Sequence, residues 1–425
     1  MAEIKPLRAL HYDLEVTGPL QDLATPPYDV IDPMQREMLA TRSPYNAVHV
    51  DLPQGGEDVY ATAADHLAQW LEAGALVRDD EDALWAIVQE YTSPNGESLT
   101  RRGLFARVRV EEYGAGRIRP HERTHPGPKE DRLRLTRATQ ANLSPIFSLY
   151  DDPAGAAWRA LKPFLRESQR FAEISDEDGT FTRLWRIADP DAIAKVQAAL
   201  EPSELLIADG HHRYETARVY ADEIGGEGDH RYVLMCLVAL QDDGLTVFPT
   251  HRLIKDTTPE TQQALRATIE EHFDIEEIST LDLRPPDGEG PLTMGFYDRR
   301  NEKAYRLTLK DQAIADAALA EYPEAYRQLD TAVLESLILK GPLGLTEDDI
   351  SHLRGLGYAR SDDEALQLVR TSAYDFAFFL RASPVSQVRD VAATGVNMPP
   401  KSTYFFPKVP TGLLFNPLDG QPVDA

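Results

Sequence analysis

The chain has 425 residues, more than one compact core usually takes, so two or three lobes are expected. Its 44 Lys and Arg against 70 Asp and Glu give a formal charge of −26. So negative a surface repels a phosphate backbone and speaks against nucleic acid or an anionic membrane as the partner.

The single cysteine, Cys236, precludes an internal disulfide and a cysteine-based metal cluster. It sits in the apolar run 233–240 and reads as a buried, inert thiol. That run is too short for a bilayer, which takes about 20 apolar residues. Residues 1–6 carry no apolar stretch of the signal-peptide kind, so a cytoplasmic enzyme or binding protein is expected.

In chain order, Val59, Ala63, Leu67, Trp70 and Leu71 recur at helical spacing, with Gly74 as a stop. Strands are predicted at 84–88, 104–110 and 181–187, and a helix at 191–200. A short apolar strand at 205–208 runs into a helix at 212–224, and strands follow at 233–240 and 246–248. The last 130 residues combine strands (292–296, 305–309, 376–380) with helices (325–339, 363–371, 385–393). This predicts an α/β to α+β fold with mixed sheets. Candidate breaks are the turn at 151–153 and the Pro/Gly-rich stretch 284–290. The second is the better linker, giving a catalytic domain over 1–284 and an α+β domain over 291–425.

Four segments carry polar chemistry. In the first, a buried strand ends at Asp209-Gly210 and a helix opens at His211-His212-Arg213. The glycine permits a sharp turn, and the helix start offers N–H groups to an anion. Arg213 adds a planar fork, the histidines add donors or proton acceptors, and Asp209 stands at a strand's carboxyl end, where α/β proteins place ligands. The bland alternative is an N-cap aspartate followed by two surface histidines.

The second segment, 117–137, carries seven Lys/Arg against three Asp/Glu. This reversal of sign suggests an anionic ligand for Lys129, Arg132 and Arg137. Pro120, Pro126 and Pro128 with Gly127 predict that part of it is a loop, and make a helical metal site from His121, Glu122 and His125 doubtful. The third, 24–31, contains Pro26-Pro27-Tyr28-Asp29 and reads equally as a structural turn. The fourth, 398–408, bears Lys401 and Lys408 with no acid, and fits either a loop-to-strand element over an anion or an edge hairpin.

Together these marks resemble, along nearly the whole chain, a bacterial and archaeal family catalogued as a domain of unknown function. The matching segments are Pro-Pro-Tyr-Asp-Val, Pro120-His121-Glu122, Pro128 to Arg132, Arg137-Ala138-Thr139, Asn142 to Phe147, Ala208 to Arg213 and Met398 to Thr403. The Asp209 to Arg213 turn is similar to the phosphate-binding turn of the ParB/sulfiredoxin superfamily, which implies a nucleotide-binding core. One branch comprises kinases of free L-serine, whose turn reads Asp-Gly-His and then Arg. The acidic chain sets aside the nucleic-acid-binding branch, and histidines in place of the turn's cysteine set aside sulfiredoxin.

The resemblance implies phosphoryl transfer from ATP or ADP to a hydroxylated metabolite, with L-serine favoured. Gly210, His211, His212, Arg213, Lys129, Arg132, Arg137 and Lys401 would hold the nucleotide, and Asp209 would bind Mg²⁺ or orient the hydroxyl. Chemistry makes Glu122, then Glu130, the candidate general base, with His211 a further acid–base candidate. The rivals are a metal-dependent hydrolase using Asp209, His121, His211 and His212, and a non-catalytic nucleotide sensor.

Overall fold

In the computed structural model the described residues are 2–93, 96–114, 117–122, 124, 126–286, 288 and 290–418. The chain forms two units. Unit 1 comprises 1–120, 124–245 and 407–425, and unit 2 comprises 121–123 and 246–406.

Unit 1 is built on a nine-stranded mixed sheet. In chain order its strands are β1 (Ile4–Lys5), β2 (Leu84–Thr92), β3 (Ser98–Arg109), β4 (Ile118–Arg119), β5 (Ile146–Tyr150), β6 (Ala172–Ser175), β7 (Phe181–Ile187), β8 (Leu205–Asp209) and β9 (Tyr232–Ala239). Across the sheet they run β4-β8-β5-β9-β3-β2-β7-β6, with β1 also pairing β3. β8 lies parallel to β4 and antiparallel to β5, and β9 is parallel to β5. One face buries Leu104, Ala106, Ile146, Leu205, Ile207, Met235 and Leu237 in the main core. Strict alternation then assigns Arg101, Gly103 and Phe105 to the opposite face of β3.

Four helices of this unit matter to the site: α1 (Val59–Glu72), α2 (Pro126–Thr139), α3 (Pro190–Leu200) and α4 (His211–Ile224). The α2 helix begins at Pro126, within the part of the basic stretch expected as a loop. Pro126 and Pro128 fall in its first turn, where the backbone N–H has no intrahelical acceptor to lose.

Unit 2 holds a six-stranded sheet of antiparallel pairs, made of β11 (His251–Ile254), β12 (Phe273–Ile278), β13 (Thr293–Asp298), β14 (Lys303–Leu309), β15 (Leu356–Ala359) and β16 (Phe376–Phe379). A two-stranded ribbon pairs β10 (Thr246–Phe248) with β17 (Tyr404–Phe406), so the fourth segment is a loop leading into a strand.

The stretch 284–290, expected as a linker, lies inside unit 2. β12 before it and β14 after it are register partners in one sheet, so this stretch connects strands within unit 2. The 151–153 turn lies within unit 1, where Asp152 accepts hydrogen bonds from the backbone N–H groups of Ala156 and Ala157 (2.9 Å each). The helix expected over 325–339 is interrupted. Leu329 adopts an extended conformation with its side chain wholly buried, and Glu335–Leu339 form a π-helical turn. The apolar period continues across the break, which hides it from the sequence.

Candidate functional site

The turn after β8 forms as the residues demand. Gly210 has φ +95°, a left-handed conformation that L side chains adopt at a cost, and opens α4 with no side-chain cap among the described residues. A second constraint acts on it. A Cβ there would lie 3.0 Å from Arg213 Nε and 3.1 Å from its Cζ, so the glycine also makes room for the guanidinium.

Arg213 folds back over the turn. Its Nη2 donates to Asp209 Oδ2 (2.6 Å), and its Nη1 donates to Ser144 Oγ (2.8 Å) and to the Pro145 carbonyl. Lys408 Nζ donates to the other carboxylate oxygen, Asp209 Oδ1. Burial alone would push the Asp209 carboxyl up. The Lys408 ammonium and the Arg213 guanidinium outweigh it and hold the group well below the usual carboxylate range, with His211 adding to the pull.

A second buried pair lies in the same unit. Arg132 Nη1 donates to the Asp51 carbonyl (2.7 Å) and to Asp51 Oδ1 (3.1 Å), and its guanidinium stacks over the Tyr28 ring at 4.2 Å. Thr411 bridges the two clusters, with its hydroxyl 2.8 Å from Ser144 Oγ and 3.4 Å from Asp51 Oδ2. A cavity of about 40 Å³ is lined by Asp51, Arg132, Ser144, Arg213 and Thr216 together with apolar residues such as Leu143 and Val233. Burial pushes Asp51 up despite Arg132, and pushes the Tyr28 hydroxyl up to about 12.

Several expected roles change. Arg132 is committed to Asp51, and Arg137 is paired at the surface with Glu223 (Nε to Oε2, 3.0 Å), so neither guanidinium is held ready for a ligand. Glu130 is exposed, 3.9 Å from Arg137. The Lys129 carbonyl accepts from Thr216 Oγ1 (3.5 Å), joining α2 to α4. His211 is buried and His212 half-buried at the head of α4.

Glu122 and Lys401 come together in unit 2, where Glu122 Oε1 accepts from the Lys401 backbone N–H (3.1 Å). In the same cluster His121 Nε2 lies 2.8 Å from Thr403 Oγ1, and the Met398 N–H donates to the His121 carbonyl (2.7 Å). His125 lies outside the described residues.

The site residues that sequence reasoning left unassigned are Lys408, Ser144, Asp51 and Thr411. Lys408 and Ser144 stood inside recognised segments, but nothing local to those segments shows which lysine meets Asp209.

The donor set does not fit a metal at Asp209. Each of its oxygens is already taken by a cationic donor, and a dication would meet two positive charges there. Among the described residues no group of three His, Cys, Asp or Glu converges on a metal position, which leaves the hydrolase reading without ligands. Nor is any described helix long and apolar enough to cross a membrane.

The fold and site define a mixed α/β protein with an ion-clamped strand–glycine–helix turn. The chain belongs to the family described as a protein of unknown function (DUF1015), which it matches over residues 4–332. No curated protein matches it. Among solved structures it is similar to a conserved hypothetical protein from Pyrococcus furiosus, at 14% identity over 73% of this chain and 93% of that one (TM-score 0.37). It is also similar to a free serine kinase variant in complex with ADP, at 13% identity over 71% and 87% (TM-score 0.37). A third is C-terminally truncated SbnI from Staphylococcus aureus, at 11% identity over 74% and 87% (TM-score 0.35).

Proposed function

We propose that the protein transfers a phosphoryl group from ATP or ADP to the hydroxyl of a small metabolite, with free L-serine as the favoured acceptor. The observation that carries this reading is the turn at Asp209-Gly210: a buried strand end, a left-handed glycine and a helix N-terminus. Its carboxylate is kept ionised by Arg213 and Lys408. Helix starts of this kind bind phosphate through backbone N–H groups and the helix dipole. Phosphoryl transfer asks chiefly for such positioning and charge neutralisation.

In the proposed step the acceptor oxygen bonds to the terminal phosphorus while the bond from phosphorus to the bridging oxygen breaks. The nucleotide leaves one phosphate shorter, and the hydroxyl proton passes to a carboxylate. Glu122, then Glu130, remain the carboxylates proposed for that proton on chemical grounds. Arg213 and Lys408 fix Asp209 rather than the phosphates, so the nucleotide contacts fall to the α4 N–H groups, His211 and His212. Such a protein would work in the cytoplasm, where nucleotide and amino acid are both at hand.

The test gives purified protein ATP or ADP with Mg²⁺ and a pool of hydroxy amino acids, read by phosphorus NMR. A new phosphomonoester with serine supports the reading. Phosphate released without an acceptor, or binding without turnover, contradicts it.

A further inference from the structure

The sheet face that carries Asp209 also carries a buried cation, Arg101, that makes no hydrogen bond to a carboxylate among the described residues. Arg101 lies on β3 with about 1% of its surface exposed. Its Nε donates to Gln89 Oε1 (3.2 Å) and its Nη2 to the same oxygen, an uncharged acceptor. Its Nη1 has no hydrogen-bond partner among the described residues. Burial pushes the guanidinium down to about 10, still charged at neutral pH. A buried charge of this kind is costly unless something meets it, and a single neutral amide does not.

The side chain is aimed rather than stranded. Its guanidinium lies 4.5 Å from the centre of the Phe147 ring, on β5, two strands away in the sheet. Phe147 is the register partner of Asp209 on the next strand, and Asp209 is among the charges that Arg101 senses. Gln89 ties the arrangement together, since its Nε2 donates to the Lys408 carbonyl (3.2 Å), the residue whose ammonium holds Asp209. Three cations, Arg101, Arg213 and Lys408, therefore bear on one aspartate. Arg213 has further acids in Asp29 and Asp51, and Arg101 has Asp242, but the Arg101 Nη1 has no hydrogen-bond partner among the described residues.

We propose that Arg101 is the subsite for the acceptor's carboxylate, which makes the acceptor class hydroxy amino acids or hydroxy acids rather than simple alcohols. The inference rests on the kinase reading and deepens it. Only one nitrogen of the fork remains unengaged, which suits one oxygen of a small carboxylate rather than a chain of phosphates. The phosphates take the other side of Asp209, at the α4 N-terminus. Held between them, the acceptor's hydroxyl lies near Asp209.

The experiment compares L-serine with ethanolamine, which keeps the hydroxyl and amine and lacks the carboxylate, in the full chain and in Arg101→Met and Arg101→Lys. Wild type is expected to favour serine by at least about 100-fold in kcat/KM, because an unmet buried donor is a strong discriminator. Arg101→Met should raise the serine KM by roughly 30-fold or more, with ADP affinity changed less than about threefold. Its ligand-free melting temperature should not fall, since an uncompensated buried charge is removed.

Arg101→Lys keeps the charge and loses the fork, and should raise the serine KM about tenfold in a protein that melts normally. Equal use of ethanolamine and serine overturns the inference while leaving the kinase reading standing. So does an unchanged serine KM in either variant. Absence of any transfer by wild type that still binds ADP overturns both.

Discussion

Replacing Gly210 by alanine isolates what the turn requires. A left-handed alanine costs about 1–2 kcal/mol from Cβ crowding against the backbone. The new Cβ also meets Arg213 Nε at 3.0 Å and Cζ at 3.1 Å, so the guanidinium must move. That movement disturbs the contacts to Asp209 at 2.6 Å and Ser144 at 2.8 Å, and a charge-assisted hydrogen bond is worth about 1.5–3 kcal/mol. The sum predicts a loss of about 2.5–5 kcal/mol in urea unfolding. Gly210→Asn separates the two contributions, because asparagine tolerates the left-handed region yet brings the same Cβ. It should recover about 1 kcal/mol of the strain and none of the clash. A loss below about 0.5 kcal/mol in Gly210→Ala would refute the reasoning, since it would mean that Arg213 is not packed against the turn.

Other changes follow from the same contacts. Lys408→Met leaves Asp209 with Arg213 as its one hydrogen-bonded cation, so its carboxyl should climb toward the usual range. The acid limb of a pH–rate profile should then shift to higher pH, and an unmoved limb would separate Lys408 from the site. Arg132→Met strands the buried Asp51 carboxylate, for which about 3–5 kcal/mol of destabilisation is expected by chemical denaturation. Asp176, pushed up to about 7 by burial and then by Asp178 and Glu177, favours folding when protonated. Its contribution is present in acid and lost as pH rises from about 4 through 7. Asp176→Asn should therefore stabilise the fold by about 1–2 kcal/mol at pH 8, discounted for partial exposure, and leave it unchanged at pH 4. Melting curves at the two pH values check this.

Local pattern was legible where it is decisive. The strand 181–187, the ribbon strand 246–248 and the helix 385–393 form at their expected limits, because alternation and helical spacing there agree with burial. The Asp209-Gly210 turn was legible because a glycine between an apolar run and a helical pattern has few other meanings. Long-range pairing was not. That residues 407–418 belong with unit 1, so that Lys408 rather than Lys401 meets Asp209, depends on partners some 200 residues apart. Arg101 was hidden for a similar reason. It stands beside Arg102 in Ser98-Leu99-Thr100-Arg101-Arg102-Gly103, and its burial follows from the face it shares with buried Phe105. The basic stretch misled through its prolines, which forbid a helix interior but suit a helix start.

The central claim is that Asp209 and its turn serve phosphoryl transfer to an alcohol. Its most direct test is the O-phosphoserine formed from ATP or ADP and L-serine by wild type and by Asp209→Asn, measured by phosphorus NMR with circular dichroism verifying the fold. The account predicts product from wild type and a loss of at least about 100-fold in a folded Asp209→Asn. Undiminished turnover in that variant would contradict it.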